Sequence, residues 1–257
     1  METLRGYLDF AVEVCEKAGK IALEYFQSDM RIETKSDGSP VTIADRTIEK
    51  MIRESIESRF PNHAIIGEEF GAAPSSSDHK WFIDPIDGTK AYSQGVPIFG
   101  VMLGLEVKDE MVVGVVNLPA LQEMVYAAKG EGCKWNGRTA RVSNTSDLKS
   151  ALLTIAGEEY FTQYGLAETL EKLREAVGWI RTWGDCYGHI LVATGRSDLC
   201  VDPILNPWDV AALVPILYEA GGTCTDWHGK VNIYSPNGVS TNNELLCDTI
   251  RITHKSV

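Results

Sequence analysis

The sequence is short of basic residues: 24 Lys and Arg stand against 36 Asp and Glu, a formal net charge of −12. That balance argues against nucleic acid or an anionic membrane surface as the main partner, because an acidic surface repels both. Capture of an anion must therefore come from metal ions or from a few basic side chains. Paired cysteines are missing as well. Cys15, Cys133, Cys186, Cys200, Cys224 and Cys247 are scattered with no C-x-x-C pair, which argues against a zinc ribbon or a disulfide framework and for reduced thiols in the cytoplasm. No apolar run approaches the length of a membrane span, and Met1 to Arg5 leads into an amphipathic pattern instead of a signal-peptide core. Internal repeats and low-complexity tracts are also lacking. At 257 residues and 44% apolar, the chain can bury a full core, as one large domain or as two lobes.

Apolar residues at Leu4, Leu8, Val12, Cys15, Ala18, Ala22 and Phe26 recur at three- and four-residue spacing and predict one long amphipathic helix. Residues Thr34 to Pro40 read as a loop. Thr42, three residues before Asp45, opens a second helix with a capping-box-like start, ended by Pro61. Ala64 to Glu69 reads as a short strand ending in two acids, and Gly71 to Asp78 as a Ser-rich loop placed to act as a flap. Ile98 to Val107, Met111 to Leu118 and Glu123 to Ala128 form an antiparallel meander. After Ser143 the pattern alternates: strands at 151–155, 179–182, 198–202 and 223–225, with helices at 165–177, 186–194 and 207–220. The expected organisation is an N-terminal α+β lobe (1–145) and a C-terminal α/β lobe (146–257).

The densest chemistry lies in Trp81-Phe82-Ile83-Asp84-Pro85-Ile86-Asp87-Gly88-Thr89-Lys90, an apolar strand running into two carboxylates stiffened by a proline. Hard divalent cations such as Mg²⁺ favour oxygen ligands of this kind. Gly88 allows close backbone approach to an anion, and Thr89 offers a hydroxyl and an N–H at a helix start. Other acids stand at element ends: Glu68 and Glu69 after a strand, Asp45 and Asp209 in first helical turns. Alone, Asp45 and Asp209 read as structural first-turn acids favouring their helices, with Asn206 as N-cap and Pro207 at the first helical position.

Together, Gly67-Glu68-Glu69, Trp81 to Thr89, Trp208-Asp209 and Glu219-Ala220-Gly221-Gly222 resemble the signature blocks of the inositol monophosphatase family, in its order and spacing from Lys35 to Asp226. The resemblance implies a layered α/β (α+β) sandwich, commonly dimeric, with two to three Mg²⁺ ions between the lobes. It implies that Glu68, Asp84 and the Ile86 carbonyl hold a first ion, that Asp84, Asp87 and Asp209 hold a second, and that a weaker third leans on Glu68. Thr89 and Glu68 would orient and deprotonate the attacking water, Asp45 would hold the Thr89 hydroxyl, and the N–H groups of Gly88 and Thr89 would cradle the phosphate. Lys35 lies where the family often has a lysine near the site.

Substrate choice in the family falls to the C-terminal lobe. Gly184-Asp185-Cys186-Tyr187-Gly188, with Asp202, Thr225-Asp226-Trp227-His228-Gly229 and Lys90, resembles the histidinol-phosphatase branch. The implied activity is hydrolysis of L-histidinol phosphate, a step of histidine biosynthesis, with an inositol-1-phosphate or broad sugar or nucleotide phosphatase as the alternative. Asp185 would face the ammonium and imidazole of that substrate, or serve as an N-cap for the following helix. Asp202 suits hydroxyls as well as cations. His189 is expected to pack or hydrogen-bond within its own helix, and Cys186 to fill space. A purely non-catalytic interaction role fits poorly with so complete a ligand set.

Overall fold

The computed structural model describes residues 2–28, 32–34, 40–72 and 75–254. Lys35 and most of the 34–40 loop lie outside the described residues. In chain order the elements are α1 (Leu4–Tyr25), β1 (Ile32–Thr34), β2 (Pro40–Thr42), α2 (Ile43–Arg59), β3 (Ala64–Gly67), β4 (Gly71–Ala72), β5 (His79–Asp87), α3 (Thr89–Ser93), β6 (Gly100–Val107), β7 (Glu110–Leu118), β8 (Glu123–Ala128), β9 (Cys133–Trp135) and β10 (Arg138–Thr139). They continue with β11 (Leu152–Thr154), α4 (Glu158–Gln163), α5 (Ala167–Ala176), β12 (Trp179–Arg181), α6 (Asp185–Ala193), β13 (Leu199–Asp202), α7 (Pro207–Ala211), α8 (Leu213–Glu219), β14 (Thr223–Thr225), β15 (Gly238–Thr241) and α9 (Leu246–Thr253).

Two mixed sheets organise the chain. The first runs β10-β9-β8-β7-β6-β5-β3-β4 and is antiparallel except where β3 meets β5. The second runs β12-β11-β13-β15-β14, with β11 parallel to both its neighbours and the remaining pairs antiparallel. β5 explains the first sheet's position. Trp81, Phe82 and Ile83 are all fully buried, and the period of two sends Trp81 and Ile83 to one face and Phe82 to the other. One face packs on α1 and α2, where Ala11, Ala18, Ala22 and Ala44 permit close helix approach. The other packs on α6, α7 and α8, which also touch Cys200 of β13 and Cys224 of β14. The far face of the second sheet meets α4, α5 and α9 around Phe161, Leu170 and Trp227. Each fully buried large side chain contributes about 1.5–3 kcal/mol, so the layers α, β, α, β, α are held chiefly by apolar burial.

Several expectations are corrected. The single helix expected at 207–220 is two, α7 and α8, separated at Ala212, because Pro215 has no N–H to donate back one turn. The alternating C-terminal pattern gives a mixed sheet, since β15 enters antiparallel between β13 and β14. Gly71 and Ala72 form a short strand on β3, and 73–74 lie outside the described residues. No described helix is long and apolar enough to cross a membrane.

Candidate active site

The acids converge because three elements end at one place. In β5 the pairing steps from Asp84 opposite Met102 to Asp87 opposite Gly100, a bulge at Pro85, which cannot donate to the ladder. The bulge re-aims both acids at the end of the sheet. Asp209 arrives on α7, where Asn206 is N-cap, Pro207 opens the helix, and Asp209 Oδ2 accepts from the Asn206 N–H at 2.7 Å. Capping and clustering therefore coexist, with one oxygen serving the helix. Ligand-capable oxygens of Asp84, Asp87 and Asp209 lie within 4.8 Å of one another. Glu68, whose N–H donates to the Ile83 carbonyl at 3.2 Å, adds its charge to Asp84 and Asp209.

Such a group does not ionise readily by itself. Burial, then the charges of Glu68, Asp87 and Asp209, hold the Asp84 carboxyl well above its usual range. Burial and Asp209 raise Asp87, and burial and Glu68 raise Asp209, against the hydrogen bonds from Asn206. Asp84 Oδ1 is buried and has no hydrogen-bond partner among the described residues. An all-oxygen donor set with an orphaned buried oxygen fits a hard divalent cation such as Mg²⁺.

Gly88 has φ 82 and caps the five-residue helix α3. A Cβ there would lie 3.0 Å from the Ile98 carbonyl, so both conformation and space call for glycine. Thr89 Oγ1 donates to the Ile86 carbonyl at 2.9 Å. The expected contact between Asp45 and the Thr89 hydroxyl is not made. Asp45 Oδ2 instead accepts from the Thr42 N–H at 2.8 Å and the Thr42 hydroxyl at 2.6 Å, since the capping box forms one turn away. Asp45 is buried, and burial pushes its carboxyl up to about 6.

Beside the acids lies a cleft of about 390 Å³ bounded by Asp87, Lys90, Tyr160, Asp185, Asp202 and Asp209. Asp185 begins α6 with φ 53, a left-handed conformation that costs a non-glycine residue about 1–2 kcal/mol. It does not cap the helix: Gly184 is the N-cap, and no side chain closes it. A Cβ on Gly88 would stand 3.5 Å from Asp185 Oδ2, so this carboxylate adjoins the Gly-Thr turn. Burial, Asp87 and Asp202 raise its pKa well above the usual range, with His189 and Lys90 opposing. Asp87 pins the start of α6 by accepting from the Cys186 N–H. Asp202 is engaged at both oxygens, by the Ala156 N–H at 3.0 Å and His189 Nε2 at 3.0 Å. His189 thus bonds across to Asp202 and Ser240, not within its own helix, because its ring points from α6 onto the second sheet. Lys90 donates to the Tyr160 hydroxyl at 2.6 Å across the cleft and lies over its ring.

Sequence reasoning missed Tyr160, whose short helix α4 has too few turns to show periodicity, and Glu49, which hydrogen-bonds the turn after β3. The four-residue step from Asp45 to Glu49 on α2 was the available signal for the latter.

Clustered acids, one buried and the others half-buried, with a Gly-Thr turn at their edge, are suited to phosphate-ester hydrolysis. The chain belongs to the inositol monophosphatase family, which it matches over residues 4–256. It is 43% identical over 240 residues to the histidinol-phosphatase of Chlorobaculum parvum, covering 93% of each chain. To the histidinol-phosphatase of Mycobacterium tuberculosis it is 35% identical over 249 residues, covering 95% of each. The solved Thermotoga maritima IMPase matches with a TM-score of 0.88 at 31% identity, over 97% of both chains. The protein is a phosphomonoesterase of this family and has its α/β fold.

Proposed function

We propose that the protein is a Mg²⁺-dependent phosphatase that hydrolyses L-histidinol phosphate to L-histidinol and phosphate. The observation that carries this reading is the half-buried, left-handed Asp185 beside the Gly88 turn. In L-histidinol phosphate the ammonium sits on the carbon next to the phosphate-bearing one. A carboxylate that recognises it must therefore stand close to the phosphate cradle, where Asp185 is. The substrate cation would add to the counter-charge that Lys90 brings to the acid-lined cleft. The names of the curated relatives support the same substrate.

In this reading Glu68, Asp84, Asp87, Asp209 and the Ile86 carbonyl hold two to three Mg²⁺ ions. When bound, Mg²⁺ offsets phosphoryl charge and makes water more acidic. Thr89, its proton donated to Ile86, presents lone pairs that orient the attacking water, and Glu68 takes that water's proton. The Gly88 and Thr89 N–H groups hold the phosphate in line. Asp202, tied to Ala156 and His189, shapes the wall and adds negative potential. Asp45, expected to act through Thr89, would act by fixing the start of α2. The cleft divides lobes 1–145 and 146–257. The six free cysteines support a cytoplasmic location, and family kinship supports a homodimer, for which sedimentation would give twice the chain mass.

Inositol 1-phosphate is the second reading, favoured by the likeness to the Thermotoga maritima IMPase. Phosphate release from L-histidinol phosphate, assayed with Mg²⁺ and after chelation, tests the proposal. Release should stop with chelator and return with Mg²⁺. Absence of release contradicts the substrate, and chelator-resistant release contradicts the role of the acids.

A further inference from the structure

Helix α2 presents Asp45, Glu49 and Arg53 at four-residue steps and therefore on one face. That face meets the turn after β3. Glu49 is fully buried, and its carboxylate accepts from the Glu69 N–H at 2.7 Å through Oε2 and from the Phe70 N–H at 3.2 Å through Oε1. Arg53 Nε donates to Glu49 Oε1 at 2.7 Å, while Nη2 donates to the Gly71 carbonyl. Gly67 accommodates this arrangement by having no side chain, since a Cβ there would lie 2.1 Å from Glu49 Oε1. A buried carboxylate is costly unless its donors are well placed. Here they come from the backbone of one turn and from a guanidinium that grips the far end of the same turn.

Glu68 lies inside this clamp. Gly67 before it is packed beneath the Glu49 carboxylate, Glu69 after it is hydrogen-bonded to that carboxylate, and its own N–H is held by Ile83. Its charge acts on Asp84, Asp209 and Asp45. We infer that Glu49, with Arg53, is a positioning residue that fixes the backbone of Glu68 so that its carboxylate stays among the metal-binding acids. The inference rests on the reading of Glu68 as a Mg²⁺ ligand.

The test is Mn²⁺ binding to the whole protein, followed by the electron-spin-resonance signal of unbound Mn²⁺, for wild type, Glu49→Gln and Asp84→Asn. Glu49→Gln keeps the shape but sets an amide donor against the turn's N–H groups or against Arg53. Its Mn²⁺ affinity should fall about 10- to 100-fold, the range for partners that orient a metal ligand, with a parallel rise in the Mg²⁺ concentration for half-maximal activity. A role confined to stability would lower Tm and leave the affinity of the folded protein unchanged, which overturns the inference. Should Glu49→Gln not fold, Arg53→Lys carries the test. It keeps a charge near Glu49 but loses the fork to Gly71, so a smaller fall in affinity supports the inference and none overturns it. Wild type that fails to bind Mn²⁺, or Asp84→Asn that binds it equally well, contradicts the metal site itself.

Discussion

Stripping metal from this protein should make it less stable as pH rises, and Mg²⁺ should reverse that trend. The folded-state pKa of Asp45 is raised from 3.8 to about 6, and burial and mutual repulsion raise Asp84, Asp87 and Asp209. A carboxyl whose folded pKa is raised binds its proton more tightly in the native state. Its contribution is fully present below the unfolded pKa and is lost as pH climbs through the folded one. Asp45 alone, displaced by about two units, corresponds to about 3 kcal/mol. The three aspartates share protons and titrate as a set, so their contribution adds in the same direction but less than the sum of its parts. For a chain of this size, 3 kcal/mol is roughly 6 °C in Tm. Scanning calorimetry in chelator should therefore show Tm falling between pH 4 and pH 8 by about that much or more. Saturating Mg²⁺ should raise Tm more at pH 8 than at pH 5, because the ion needs deprotonated ligands. Asp84→Asn separates this cause from the general repulsion of a net charge of −12. With one acid removed, the metal-free variant should be more stable than wild type at pH 8 and gain little from Mg²⁺. A metal-free Tm that is flat or rising across this range, or Asp84→Asn with the wild-type slope, would refute the reasoning.

Asp185→Asn should lower kcat/KM for L-histidinol phosphate about 10- to 100-fold, the worth of a charge-assisted hydrogen bond, and leave inositol 1-phosphate turnover nearly unaltered. Steady-state kinetics on both substrates checks it. Gly88→Ala must adopt φ 82 against the Ile98 carbonyl, at about 1–2 kcal/mol, and should lose activity out of proportion to its Tm. Thr42→Ala removes the side-chain cap of α2 and should cost about 1 kcal/mol in denaturant unfolding. In Gly184→Ala the added Cβ would stand 2.1 Å from the backbone of Ala156, so the Asp185 loop must move, and discrimination between the two substrates should narrow.

Much of the site was legible in the sequence because its acids occupy positions with local signatures. Asp84 and Asp87 flank a proline at the end of an apolar strand, and Asp45 and Asp209 are third residues of capped helices. Those signatures fix where each side chain starts but not what it meets. Asp45 was expected at Thr89 and is spent on Thr42, because the capping partner is three residues away and needs no tertiary alignment. His189, expected to pack or hydrogen-bond within its helix, is buried, but its bonds to Ser240 and Asp202 depend on how α6 lies on the second sheet, which no local pattern encodes. The same holds for β15, which inserts between β13 and β14, and for Lys90 reaching Tyr160 across the cleft.

The most direct test is the ratio of kcat/KM for L-histidinol phosphate to that for inositol 1-phosphate, measured on the wild-type protein with saturating Mg²⁺. An Asp185 carboxylate beside the Gly88 turn predicts a ratio of about 10 to 100 or more in favour of the cationic substrate. A ratio at or below one would contradict it and make the protein a phosphatase of neutral polyol or sugar esters.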